Sequence, residues 1–280
     1  MSDVKIAVTG ATGRLGSRVA RRLAEAGLPQ RLLVRDPSRA PELPGAETAR
    51  AEYADRDAVR AALGGIETVL MVSAAETEQR VAEHRAFVDA AVAAGVRRVV
   101  YTSFYGAAPD AAFTLARDHW ATEQHLRQSP LAWTFLRDNL YLDVLPQFVG
   151  HDGVLRGPAA EGRVAGIALD DVADVAVAVL RDPGPHDGQI YELTGPQSLT
   201  LGQVAEIITF VTGRPVNYHA ETEPEAYASR ASYDAPDWQV EAWVSTYRAI
   251  ARGELARVTD TVERLTGVAP LTLDDLLRLG

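Results

Sequence analysis

Three glycines spaced three apart, Gly10, Gly13 and Gly16 in "TGATGRLG", separate a short apolar run from a helical pattern. Each glycine has a physical task in that position. The first permits a tight turn, the second lets backbone approach a diphosphate, and the third lets the helix pack close to a sheet. The helix start then offers N–H groups and a partial positive charge to an anion. The chemistry to expect is the holding of a dinucleotide. Its type is read at the end of the second apolar run, where an acidic residue would take a ribose 2′-hydroxyl. Arg35 stands there instead, with Arg39 four residues on and Arg14 inside the glycine turn. Three guanidinium groups suit a 2′-phosphate, which they bind bidentately, so NADPH is expected over NADH. Asp36 opposes this reading unless it points away or caps the next turn.

Other chemistries find little support. The six histidines include no pair at the four-residue helical spacing of a zinc site, and there is no cysteine, so no metal is expected. Ser103 and His119 invite a hydrolase reading, but no Gly-x-Ser-x-Gly elbow is present. A net charge of −10 repels phosphate backbones and argues against nucleic acid. No apolar run reaches the ~18 residues of a membrane span. Asp3 and Lys5 lead straight into a strand pattern, so no leader segment is expected. The expectation is a cytoplasmic protein without a membrane partner.

The elements that must position these residues follow from periodicity. Strand patterns at 4–9, 31–34, 47–52, 68–73, 97–102 and 132–136 alternate with helical ones at 14–26, 56–63, 78–94 and 116–127. Such alternation predicts an α/β fold, a doubly wound parallel sheet of the Rossmann kind. Gly27, Gly64 and Gly95 fall where left-handed helix caps are wanted. Further on, 170–181 reads as a helix with Asp170 or Asp171 near its cap, 189–193 as a strand, 200–212 as a helix closed by Gly213, and 224–267 as helical. Residues 150–166 read as loops and short strands. The domain reading is a dinucleotide-binding domain over 1–150, with 165–195 returning to it. A smaller, mostly helical substrate-binding cap takes 151–164 and 196–280.

With these residues assembled, the chain resembles the NmrA-like group of atypical short-chain dehydrogenase/reductases. Within that group it looks most like bacterial NAD(P)H:quinone oxidoreductases and triphenylmethane dye reductases. The resemblance is carried by "AVTGATGRLG", "LLVRDPSRA", "VAAGVRRVVYTS", "LARDHWATEQHLR", "WTFLRDNLY" and "GQIYELTG", spread over residues 4 to about 215. It implies hydride transfer from NADPH to a quinone, a dye or a related conjugated acceptor. It also implies that Gly10, Thr12, Gly13, Arg14 and Leu15 line the diphosphate, that Ser73 and Ala74 flank a ribose, and that Thr102 and Ser103 lie near the nicotinamide. Arg35 and Arg39 face the 2′-phosphate on the same match.

Most short-chain reductases use Tyr-x-x-x-Lys to move a proton. Lys5 is the only lysine and lies in the first strand, so that dyad is absent. In the matching helix His119 stands where the lysine would be and Leu115 where the tyrosine would be. Without the acid, an isolated ketone would lose roughly 10²–10⁴ in rate. A quinone or cationic dye needs less help, since its reduced form delocalises or neutralises charge. His119 can be read as a ribose ligand, as a proton source near neutral pH, or as a locally satisfied helix residue. Tyr105, after the fifth strand, and Tyr141, after the sixth, are substrate-binding candidates at the sheet's mouth. Tyr105 and His119 are also the catalytic candidates. Trp243 belongs to a run of late aromatics with Trp238 and Tyr247 that reads mostly as core and otherwise as a lid over a flat substrate. The group's usual Leu-Arg-Asn string is here Leu136-Arg137-Asp138, with Asn139 one place later. The reading is an NADPH-dependent reductase of a small planar aromatic or quinone-like substrate, with a homodimer left open. The alternative is an NADP(H)-binding regulator that performs no turnover, which the missing dyad fits equally well.

Overall fold

In the computed structural model, which describes residues 4–279, the first strand β1 (Ile6–Thr9) turns through the glycine loop into α1 (Arg14–Glu25). Then follow β2 (Gln30–Val34), β3 (Ala46–Arg50), α2 (Arg56–Ala62), β4 (Thr68–Met71), α3 (Arg80–Ala93), β5 (Arg98–Phe104), α4 (Thr114–Gln128) and β6 (Ala132–Asp138). The second half carries β7 (Val154–Gly157), β8 (Arg163–Val164), α5 (Leu169–Arg181), β9 (Gln189–Leu193), β10 (Leu199–Thr200), α6 (Leu201–Thr212), β11 (Asn217–Ala220), α7 (Glu223–Arg230), α8 (Asp237–Ala251), α9 (Thr261–Thr266) and α10 (Leu273–Leu279). Asp3, and with it the outermost residues of the two expected domains, lies outside the described residues.

Seven strands form one sheet in the order β3-β2-β1-β4-β5-β6-β9. Ile6 of β1 pairs in parallel with Gln30 on one side and Thr68 on the other. The chain order therefore reverses between β1 and β4, the crevice where doubly wound sheets bind ligands. The central strands are apolar on both faces because helices cover both. Ala7, Val8, Leu32, Val69, Leu70, Met71, Val99 and Val100 are all fully buried. The doubly wound expectation is met.

The chain divides into two compact units. The first takes the residues up to Ser103 together with Asp118–Arg137 and Val172–Tyr191, and it holds the glycine loop. The second takes Phe104–Arg117, Asp138–Asp171 and the chain from Glu192 on. This division interleaves more finely than a boundary at residue 150: segments 104–117 and 138–150 go with the second unit. Inside that unit β7 pairs with β11 in parallel and β8 with β10 antiparallel, while α6 and α7 start with capping boxes, Thr200 with Gln203 and Thr222 with Glu225. Its core gathers Leu145, Leu155, Leu201, Val204, Tyr247 and Ile250.

Two local expectations are corrected. The left-handed residue after α2 is Gly65 (φ 79°), not Gly64. Asp170 and Asp171 do stand in the first turn of α5, and the first amide of that helix, Leu169 N–H, is taken by Asp143 Oδ2 at 2.9 Å. The stretch 224–267 is not one helical region. Asp234 (φ 49°) and Pro236 break it before α8, since proline lacks an N–H and restricts its neighbour, and Gly253 (φ 74°) ends it after α8. Among the described residues no helix is long and apolar enough to cross a membrane.

Candidate functional site

The glycine loop is built for close backbone approach. Gly10 takes φ 62° and its carbonyl accepts from Gly13 N–H at 2.8 Å. A Cβ on Gly16 would lie 2.3 Å from Gly10 O, so only glycine lets α1 start this near the strand. Gly13 caps α1 in extended backbone with no side-chain cap, and the first turn holds no acidic residue. A helix start left without its own capping group is one an external anion can complete. Gly10, Thr12, Gly13 and Arg14 are exposed along this loop, while Leu15 and Gly16 are buried and can offer only backbone.

Arg35 and Arg39 are exposed beyond β2. Asp36 between them caps the short 3-10 turn Pro37–Arg39. Its Oδ1 accepts from Ser38 N–H at 3.0 Å and from Ser38 Oγ at 2.7 Å, which holds the carboxyl below its usual range. The carboxylate that opposed a phosphate reading is thus spent on the turn, and the cradle and its arginines fit a phosphorylated dinucleotide.

The loop after β4 is pinned from beneath, one residue at a time. Val72 N–H bonds Thr9 Oγ1 at 2.9 Å, and Val72 O accepts from Tyr53, whose oxygen accepts from Thr9 in turn. Ser73 N–H bonds Thr102 Oγ1 at 2.9 Å, and Ala74 N–H bonds His84 Nε2 at 2.9 Å. Backbone at Ser73 and Ala74 is therefore fixed in place, and the Thr102 hydroxyl faces this loop.

β5 and α4 match in spacing. Two residues along a strand rise about 6.6 Å and four along a helix about 6 Å. Tyr101 and Ser103 on one face of β5 therefore meet His119 and Glu123 on one face of α4. Tyr101 Oη lies 2.9 Å from His119 Nδ1, and Ser103 Oγ donates to Glu123 Oε1 at 2.6 Å. Glu123 is fully buried and also holds Arg137 bidentately, at 2.8 and 2.7 Å. The Ser103 hydroxyl is thus engaged with Glu123.

The partners fix the histidine tautomers. Arg80, buried at the start of α3, can only donate, so His119 Nε2 accepts at 3.1 Å and Nδ1 carries the hydrogen toward Tyr101. By the same rule His84 Nε2 accepts from Ala74, and Nδ1 gives its hydrogen to Thr122 Oγ1 at 2.9 Å. Burial, reinforced by Arg80, pushes His84 down to about 3 and His119 well below its ordinary value. His119 is thus a neutral ring. This differs from the expectation of a proton source near neutral pH.

Within the second unit, Tyr105, Asp138 and Tyr141 gather at the carboxyl ends of β5 and β6. Tyr105 N–H bonds Asp138 O at 2.9 Å, and Tyr141 Oη lies 2.9 Å from Asp138 Oδ2. Tyr105 is mostly core, and burial raises its phenol. Trp243 is half-buried on α8 and meets Tyr233 edge-on, whereas Tyr247 is core, with Gly157 leaving room for its ring. Arg80, Tyr53, His84, Tyr101, Glu123 and Asp138 were not foreseen as site residues. The signals for them were the four-residue spacings Arg80–His84 and His119–Glu123 and, for Asp138, the departure from the Leu-Arg-Asn string.

A protein-family model described as the NmrA-like family matches residues 2–249. An NAD(P)H azoreductase from Xenophilus azovorans is 36% identical over 94% of this chain and 93% of its own. An Escherichia coli NADPH-dependent quinone oxidoreductase, solved with NADPH, superposes with a TM-score of 0.89 at 32% identity, covering 98% of this chain and 99% of that one. Triphenylmethane reductase from Citrobacter sp., solved with NADP(H), gives 0.87 at 27% identity, with 98% and 99% covered.

Proposed function

The chain belongs to the NmrA-like family, and from that premise we propose that it is an NADPH-dependent reductase passing hydride to planar conjugated acceptors such as quinones and dyes. The chain is an enzyme of the oxidoreductase class, as its azoreductase and quinone oxidoreductase relatives are. The observation that carries the cofactor reading is the α1 start, a glycine cradle that a single Cβ at residue 16 would fill. Gly10, Thr12, Gly13, Arg14, Leu15 and Gly16 would hold the diphosphate, the last two through backbone. Arg35 and Arg39 would take the 2′-phosphate, with Asp36 held aside by Ser38.

When bound, the nicotinamide supplies a hydride. The chain's own residues orient it and shape the place of reaction. Ser73 and Ala74 would flank a ribose on a loop that Thr102 and His84 hold still. Thr102 and Ser103 would present the end of β5 toward the nicotinamide, and His119 would border that site as a neutral hydrogen-bonding ring. Tyr105, Tyr141 and Trp243 would meet the acceptor. With no lysine beside a tyrosine, conjugated acceptors are favoured over isolated ketones. A cytoplasmic setting fits this reading.

The test mixes purified protein with NADPH and a panel of quinones, triphenylmethane dyes and azo dyes, and follows the reduced-nicotinamide absorbance. Acceptor-dependent loss faster than the protein-free control is expected. Tight NADPH binding with no turnover across the panel would move the chain to the regulator reading.

A further inference from the structure

Two arginines are buried among the described residues, and they differ in how their charge is met. Arg230, in the second unit, bonds Glu221 Oε2 at 2.9 Å. Arg80, in the first unit, is 5% exposed and has no ion pair among the described residues. Its Nη2 donates to a neutral imidazole, His119 Nε2, and its Nε is buried with no hydrogen-bond partner. A guanidinium cannot shed its proton in a protein. The first unit therefore holds a fixed, unneutralised positive charge in its interior.

Its place makes that charge harder to keep. Arg80 is the first residue of α3, and Gln79 before it makes no side-chain cap bond. A helix start is the positive end of the dipole, where a cation is disfavoured. Nearby carboxyl groups do not offset it. Glu123 holds Ser103 and Arg137, while Glu83 of the same turn and Asp118 of α4 make no ion pair among the described residues. The charge is felt all the same. After burial, Arg80 is the largest cause that lowers His84 and His119, and it opposes the rise that burial gives Asp118.

A series of contacts leads from the glycine loop to this charge. A Cβ on Gly10 would meet Val72 Cβ at 3.4 Å. Ser73 N–H reaches Thr102, Ala74 N–H reaches His84, and His84 lies one turn along α3 from Arg80. Arg80 in turn meets His119. On the reductase reading these contacts follow the cofactor from its diphosphate to its nicotinamide, which Thr102, Ser103 and His119 surround.

The two redox forms of that ring differ by one charge: the oxidised ring is positive and the reduced ring neutral. We propose that Arg80 sets which form the protein holds. Its field disfavours NADP+ and leaves NADPH unaffected, so the first unit takes up the reduced cofactor and expels the oxidised one. The proposal rests on the cofactor site of the reductase reading. Because its Nε is closed off, Arg80 acts through its field and is a positioning residue, not a catalytic one. Two unit charges within about 10 Å, at an effective permittivity of about 20, change an affinity by about tenfold or more. By linkage the same field raises the reduction potential of the bound couple, which suits strongly oxidising acceptors such as quinones.

The experiment titrates wild type, Arg80→Met and Arg80→Lys with NADPH, NADP+ and 2′,5′-ADP by calorimetry, without acceptor. Work at pH 8 keeps His84 and His119 neutral throughout. Wild type should bind NADPH about tenfold or more tighter than NADP+. Arg80→Met should tighten NADP+ about tenfold. It should leave NADPH, and 2′,5′-ADP, which has no nicotinamide, within about twofold. Arg80→Lys keeps the charge and should keep the wild-type ratio. A merely structural role would weaken all three ligands together in Arg80→Met, and that outcome overturns the proposal. Equal wild-type affinities for NADPH and NADP+ overturn it too, even where neither variant folds. The acceptor panel judges the reductase reading separately. A wild-type preference for NADPH that Arg80→Met abolishes, without turnover, upholds the inference and refutes the reductase; turnover with equal affinities does the reverse.

Discussion

Arg80 donates from Nη2 to Nε2 of His119 at 3.1 Å, inside a buried site at the start of α3. A guanidinium on one ring nitrogen and a phenol on the other leave the ring neutral, and His84 is held the same way by a backbone amide. Protonating either ring would add a buried charge beside Arg80.

The consequence for stability has a definite sign. Both histidines have lowered pKa in the folded protein, so below pH 6.5 the unfolded chain binds protons that the folded chain refuses. Their contribution is full above 6.5 and is lost as pH falls, for His84 until about 3, where the folded ring protonates too. Each ring adds up to about 1.4 kcal/mol of lost stability per pH unit in that window. Urea denaturation at pH 7, 6 and 5 checks it. His84→Gln should flatten the slope by about one proton, and an unchanged slope would mean that His84 already carries charge in the folded state.

The two inner glycines should fail differently. Gly16→Ala drives a Cβ to 2.3 Å from Gly10 O and 2.8 Å from Thr9 O, both backbone atoms that cannot step aside. It should cost more than about 2 kcal/mol in thermal denaturation. Gly13→Ala meets only Gly10 O, at 3.1 Å, and the residue is exposed, so the fold should hold within about 1 kcal/mol. The methyl group would instead stand where phosphate approaches, and NADPH affinity measured by titration calorimetry should fall about tenfold or more. Equal affinity for wild type and Gly13→Ala would remove the diphosphate from this loop.

What the sequence made legible was local. The glycine loop, the strand–helix alternation and the arginines after β2 each lie within one short stretch, where spacing alone carries the geometry. The polar net below the β4 loop was not legible, because Tyr53, His84, Thr102 and His119 come from four distant stretches that only the sheet order brings together. His119 was found, but its neutrality was not, since that depends on Arg80 from another helix. Asp138 was noticed as a departure from Leu-Arg-Asn. Its burial and its Oδ1, unpaired among the described residues, are properties of the packing around β6, which one strand's alternation does not reveal.

Cofactor choice should turn on the three residues after β2. Arg35 and Arg39 make no ion pair among the described residues, and Asp36 is held by Ser38. A guanidinium bonded to a phosphate is worth about 1.5–3 kcal/mol, so Arg35→Ser or Arg39→Ser should weaken NADPH binding about 10- to 100-fold. NADH lacks that phosphate and should lose less than about threefold. Asp36 separates charge from scaffold. Asp36→Asn keeps an oxygen for the Ser38 bonds while removing a negative charge near the phosphate, and should tighten NADPH binding about two- to threefold at low salt. Asp36→Ala removes the charge and the cap together, frees the Pro37–Arg39 turn, and should lose that gain by letting Arg39 wander. Titration of both cofactors across the four variants tests the set. Parallel losses for NADPH and NADH would place the 2′-phosphate away from these arginines and leave them as surface charges.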